Sequence, residues 1–129
     1  MHRLLWVLQI VFGLYFIVIG VLHFIVPEGL PDAMAWMYEL SDGLHWASGI
    51  AEILGGLGLI LPGLTGIRPE LTIWAAIGLA LVMVGAAIWH AGRDGEAFNI
   101  FLNLANAGVM LFIAWGRARR APLTPKAAA

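Results

Sequence analysis

Hydrophobic residues run through this chain in four long blocks, separated by short polar or proline-containing pieces. Leu4–Val26 reads LLWVLQIVFGLYFIVIGVLHFIV, with Gln9 and His23 as its strongly polar residues. Leu44–Leu61 is shorter and holds Glu52; Leu71–Ala91 carries His90 close to its end; Phe98–Gly116 contains Asn99, Asn103 and Asn106. Crossing about 30 Å of hydrocarbon takes roughly 20 apolar residues at about 1.5 Å each, and all four blocks come close to or exceed that length. Helices are the expected form, because each backbone polar group in lipid must be bonded within its own segment. The predicted fold is all-α: a polytopic membrane protein, a four-transmembrane-helix bundle with spans at about 4–26, 44–61, 71–91 and 98–116. Residues 1–116 would form a single membrane domain and 117–129 a basic cytoplasmic tail that frays. The first block is too long for a signal-peptide core and no small-residue cleavage site follows it, so it reads as a span.

The first connection, Pro27–Gly43, is longer than the others. Asp32 follows Pro31 as a helix start, and Met34, Met37 and Leu40 recur at steps of three. Trp36 and Tyr38 favour the headgroup layer. A short helix lying on the membrane surface is expected here, with Ser41 or Asp42 capping the second span.

Composition agrees with a bilayer as the main solvent. Of 129 residues, 61% are hydrophobic and 12% charged, with mean hydropathy +0.89, against about half and a quarter in soluble domains. A net charge of −1 offers no general attraction to nucleic acid, and there is no Gly-rich phosphate loop or basic-aromatic patch. The absence of cysteine removes disulfides, thiolate metal sites and thiol redox chemistry. Charge also orients the bundle. Four spans put both termini on one side, together with Arg3, Arg68, Arg117, Arg119, Arg120 and Lys126. The other side has Arg93 set against six acids, so both termini are expected to be cytoplasmic.

The intramembrane polar residues then fall at matching depths. His23 ends the first span, His45 starts the second with Glu52 seven residues deeper on the same face, and His90 ends the third. Asn99, Asn103 and Asn106 descend one face of the fourth. All seven lie in the outer half of the bilayer or at its edge. A carboxylate near a helix centre costs on the order of 2.5–3.5 kcal/mol even on the mild insertion scale. Turning these faces inward, into one shared and partly hydrated pocket, relieves that cost. Glu52 would be protonated there or paired with a protonated histidine. The candidate ligand-binding set is His23, Glu52, His90, Asn103, Asn106 and His45, bordered by Trp46 and Trp89 as a roof; no catalytic residue and no metal ligand is assigned. Plainer roles stand beside these: Glu52 and the asparagines as helix-to-helix glue, Asn99 as a cap, His45 and His90 as interfacial anchors. Glycines seven apart (Gly13 and Gly20, Gly49 and Gly56, Gly78 and Gly85) are expected to let helices approach closely.

Three features together resemble the DoxX family of small four-helix membrane proteins. They are GVLHFIVP (Gly20–Pro27), GIAEILGGLGLILPG (Gly49–Gly63) with its embedded glutamate, and His90 at the end of the third span. The likeness covers about Leu4 to Gly116. The long Pro27–Gly43 segment and the asparagine-rich fourth span point to divergent, DoxX-like members. The resemblance implies a subunit associated with quinone-linked oxidation in a respiratory membrane, or a membrane partner of oxidative-stress enzymes, in a bacterial or archaeal cytoplasmic membrane. Only His23, Glu52 and His90 match its characteristic positions, and no catalytic role follows for them.

Three readings compete. The first is an accessory subunit of a quinone-linked oxidoreductase, with quinone as the ligand. No motif declares an iron–sulfur cluster, flavin or nicotinamide, so electrons would come from a protein partner. The second is a lipid-binding, small-molecule-binding or transport component. The third is a structural subunit of a larger complex or oligomer. Haem held by His23 and His90 is disfavoured.

Overall fold

Four helices form where the four apolar blocks lie: α1 (His2–Ile25), α2 (Asp42–Thr65), α3 (Leu71–Ala91) and α4 (Ala97–Arg119). The structure, a computed structural model, describes residues 1–127. A 3₁₀ helix, Asp32–Tyr38, stands between α1 and α2, and no strand occurs among the described residues. Each of the four α-helices is long and apolar enough to cross a bilayer. Their outward faces carry large hydrocarbon side chains such as Leu81 and Phe101, 68% and 70% exposed. Such surfaces need lipid against them.

The chain runs up-down-up-down. α1 packs chiefly on α2 and α3 chiefly on α4, α2 joins the two hairpins to each other through α3, and α1 touches α4 only lightly. Between them lies a core of Leu5, Phe16, Leu59, Leu79, Met110 and Ile113 with smaller neighbours. The α1–α2 seam is close because glycine faces glycine: a Cβ on Gly20 would stand 2.9 Å from the Gly49 carbonyl oxygen. Gly78 and Gly85 depart from the expected pattern. A Cβ at either meets nothing within 4 Å, so they seal no seam.

Helix ends follow local chemistry. The Ser41 hydroxyl accepts the Leu44 N–H at 3.4 Å and caps α2. α2 continues four residues past Leu61, through Pro62, until Gly66 takes a left-handed conformation (φ 69°) and its N–H bonds the Pro62 carbonyl at 3.0 Å. α1 ends with Val26 at φ 41°, a strained setting for a β-branched residue, just before Pro27.

The far end of the bundle differs from expectation at Arg117. This residue belongs to α4 and is 1% exposed, buried with Gln9 rather than free in a tail. Its Nε donates to Gln9 Oε1, its Nη1 donates to the Ala121 carbonyl at 3.1 Å, and Gln9 Nε2 donates to the Leu59 carbonyl at 2.6 Å. Beyond α4 the chain folds back, and the Lys126 N–H bonds the Gly66 carbonyl at 3.0 Å. The last two residues of the expected tail, 128–129, lie outside the described residues.

Candidate functional site

The step of three from Met34 to Met37 suits a 3₁₀ helix, which has three residues per turn and so sets them on one face, and Leu40 follows two residues past its end. That face lies across the bundle end. Met37 is 1% exposed, while Met34 and Leu40 line a partly open cavity of about 910 Å³ with walls from all four helices. The size suits an organic ligand. Glu52 and His23 line the cavity from α2 and α1, Asn103 from α4, and Trp89 from α3, amid a wall that is otherwise mostly hydrocarbon.

Glu52 heads a chain of polar contacts that leads out of the cavity. Its Oε2 lies 3.4 Å from His23 Nε2, an ion-pair contact, and is buried without a hydrogen-bond partner. His23 Nδ1 lies 2.9 Å from His45 Nδ1, and His45 Nε2 lies 2.9 Å from the Met37 carbonyl oxygen. All three side chains are buried. A carbonyl only accepts, so His45 Nε2 carries a proton. Two imidazole nitrogens 2.9 Å apart share one proton, and a small approach of His23 Nε2 to the Glu52 carboxyl would let them share another. Three links would then hold three protons and leave the chain neutral. The cost of an isolated carboxylate in the bilayer is avoided this way.

A second carboxylate–histidine pair stands beside the first. His90 Nδ1 lies 3.0 Å from Glu96 Oε2 as an ion-pair contact without a hydrogen bond, and that oxygen accepts from Asn99 Nδ2 at 2.6 Å. The Trp36 ring separates the pairs, its centroid 5.8 Å from that of His23 and 5.4 Å from that of His90. His90 thus adjoins the site through Trp36 and does not line the cavity. Asn103 Nδ2 donates to the Asn99 carbonyl at 2.9 Å. Asn106 sits one layer behind, its Nδ2 3.5 Å from the Tyr15 hydroxyl. Trp46 requires correction: it is 62% exposed, stacks edge-on against Phe24 and is no roof. A tryptophan one residue from a bundle-facing histidine is turned about 100° round the helix, which here points it at lipid.

Sequence reasoning missed Tyr15 and Trp36, both of which line the cavity. Tyr15 had a signal: it precedes Ile19 and His23 by steps of four, on the same helical face. Trp36 had none, because its place depends on how the 3₁₀ helix folds over the bundle. Among the described residues, no group of three or more His, Cys, Asp or Glu is arranged to hold a metal ion.

The DoxX-like family model matches residues 7–116. The chain belongs to the DoxX-like family. With four apolar helices inside that match, this DoxX-like chain is an integral membrane protein in contact with lipid. No curated protein and no solved structure matches it.

Proposed function

We propose that this DoxX-like protein is an accessory membrane subunit of a quinone-linked oxidoreductase, with the quinone head bound in the cavity beside Glu52. One observation carries the reading: a ligand-sized, hydrocarbon-walled cavity whose ionisable wall is a carboxyl–imidazole chain. A quinone presents ring oxygens that accept protons when reduced and release them when oxidised. A proton carried by Glu52 or His23 can be given to such an oxygen or taken from it. Tyr15, Trp36 and Trp89 supply flat aromatic walls for the ring, and the apolar lining suits a hydrocarbon tail. Electrons would be exchanged with a partner oxidoreductase, since the sequence carries no motif for a redox centre of its own. In this reading both termini are cytoplasmic, and the cavity opens in the outer half of a bacterial or archaeal cytoplasmic membrane.

The test is isolation from native membrane in lipid discs, with bound small molecules and co-purifying proteins identified by mass spectrometry. A short-tailed quinone titrated against tryptophan fluorescence gives the affinity. Quinone enriched above its share of the surrounding lipid, together with an oxidoreductase partner, is the expected result. Enrichment of a phospholipid or another amphiphile without quinone would instead favour a lipid-binding or transport component.

A further inference from the structure

We infer that the Glu52–His23–His45 chain is a proton exit from the cavity to the aqueous face at the 3₁₀ end, and that the 3₁₀ helix is its gate. The inference rests on the reading of the cavity as a site whose ligand exchanges protons. Its direction comes from the last link. Because the Met37 carbonyl fixes a proton on His45 Nε2, His23 donates to His45 and His45 outward to Met37, which leaves His23 Nε2 free to take a proton from Glu52, 3.4 Å away. One concerted shift moves the Glu52 proton to His23 Nε2 and the His23 Nδ1 proton to His45 Nδ1. The His45 Nε2 proton then leaves. Glu52, now a carboxylate, can take the next proton from a hydroxyl in the cavity, and His23 and His45 must each return to the starting tautomer before a further proton passes. One proton enters for each that leaves, and the chain moves no electron.

With the 3₁₀ helix seated, the last step is blocked, since an amide carbonyl does not keep a proton. Lifting Met37 exposes His45 Nε2 to water, which does. The gate is fastened at both hairpins. The Tyr38 hydroxyl donates to the Pro27 carbonyl at 2.8 Å and accepts the Leu30 N–H at 3.1 Å, next to the end of α1. The Glu39 carboxylate pairs with Arg93 from the α3–α4 connection, and Arg93 in turn lies 4.4 Å over the Trp89 ring. Water is close, since the Glu39 side chain is 56% exposed. His90 and Glu96 offer no parallel route from His23: the Trp36 ring lies between, and no hydrogen bond links the two clusters among the described residues.

The chain has no cysteine, which makes a gate-locking test clean. The variant Glu39→Cys/Arg93→Cys, labelled with ¹⁵N-histidine and held in lipid discs, is compared before and after bridging with a short bis-maleimide. Solvent exchange of the His23 ring N–H is read by NMR; His23 bears at least one ring proton in every arrangement of the chain. Bridging should slow that exchange about tenfold, as expected when a local opening is suppressed. Arg93→Cys alone, treated with the same reagent, should show no slowing. His45→Phe, which keeps a ring but breaks the chain, should slow exchange to a similar degree. Equal rates before and after bridging would overturn the gate, and an unchanged rate in a folded His45→Phe would overturn the route. Quinone titration of the same samples separates the two readings. Gated exchange without quinone binding would remove the proposed function and leave the proton exit standing.

Discussion

Gly13 of α1 and Gly56 of α2 meet backbone to backbone: a Cβ on Gly56 would stand 2.5 Å from the Gly13 carbonyl oxygen. Lipid gives helices no hydrophobic reason to associate, so this contact, and the one between Gly20 and Gly49, holds the first hairpin by close packing. Gly56→Leu should therefore force the hairpin apart. We expect a loss of about 1–3 kcal/mol, the usual range for overpacking, read as a lower thermal midpoint in detergent or lipid discs. Gly78→Leu is the matched control, because a Cβ there meets nothing within 4 Å. Equal melting of the two variants would mean the seam does not hold the hairpin.

Arg117 and Gln9 form a buried polar pair that joins the first helix to the last. Among the described residues, no carboxylate bonds Arg117, and one of its nitrogens, Nη2, is buried without a partner. Gln9→Leu would leave the guanidinium shorter of acceptors, with a cost of about 3–5 kcal/mol as for a broken buried pair. Gln9→Leu/Arg117→Met should recover most of that loss by removing the charge as well. A double-mutant cycle on the thermal midpoint measures this. Simple additivity of the two single changes would show that the residues act separately.

The bias of six basic residues against Arg93 gives a topological expectation. Reporter fusions in the Arg68 connection should read cytoplasmic, and those in the Pro27–Gly43 segment should read external. An external signal from the Arg68 connection would reverse the bundle and place the cavity in the inner half of the membrane.

How much of the fold is legible in the sequence follows from the range of each interaction. The spans are legible because twenty apolar residues in a row have one economical fate in lipid. Ser41, Asp32 and the three-residue steps of the 3₁₀ helix are legible because capping and helical facing act within a few positions. Matching depth is enough to put His23, Glu52 and His45 in one neighbourhood. The order of the links, carboxyl to imidazole to imidazole to carbonyl, is not legible, since it depends on rotamers and on the seat of Met37. Arg117 is hidden for a different reason. A basic residue at a helix end ordinarily snorkels to the interface, and its acceptor lies 108 positions away in the chain. Trp46 misleads because proximity in sequence is not proximity of side chains on a helix.

The sharpest expectation concerns Glu52 itself. Glu52→Gln keeps the shape and still offers an amide N–H to His23 Nε2, 3.4 Å away in the parent protein. The fold should survive, with the thermal midpoint unchanged or slightly raised, since an ionisable group leaves a buried position. The amide cannot release its proton, however, so the third link becomes fixed. If the cavity serves a proton-exchanging quinone, the variant should bind the short-tailed quinone within about tenfold of the parent, a change of about 1.4 kcal/mol, yet lose quinone turnover in the presence of the partner complex. If Glu52 only joins helices, turnover should be untouched. Retained turnover in a folded Glu52→Gln protein would therefore end its role as the proton-handling group of the site.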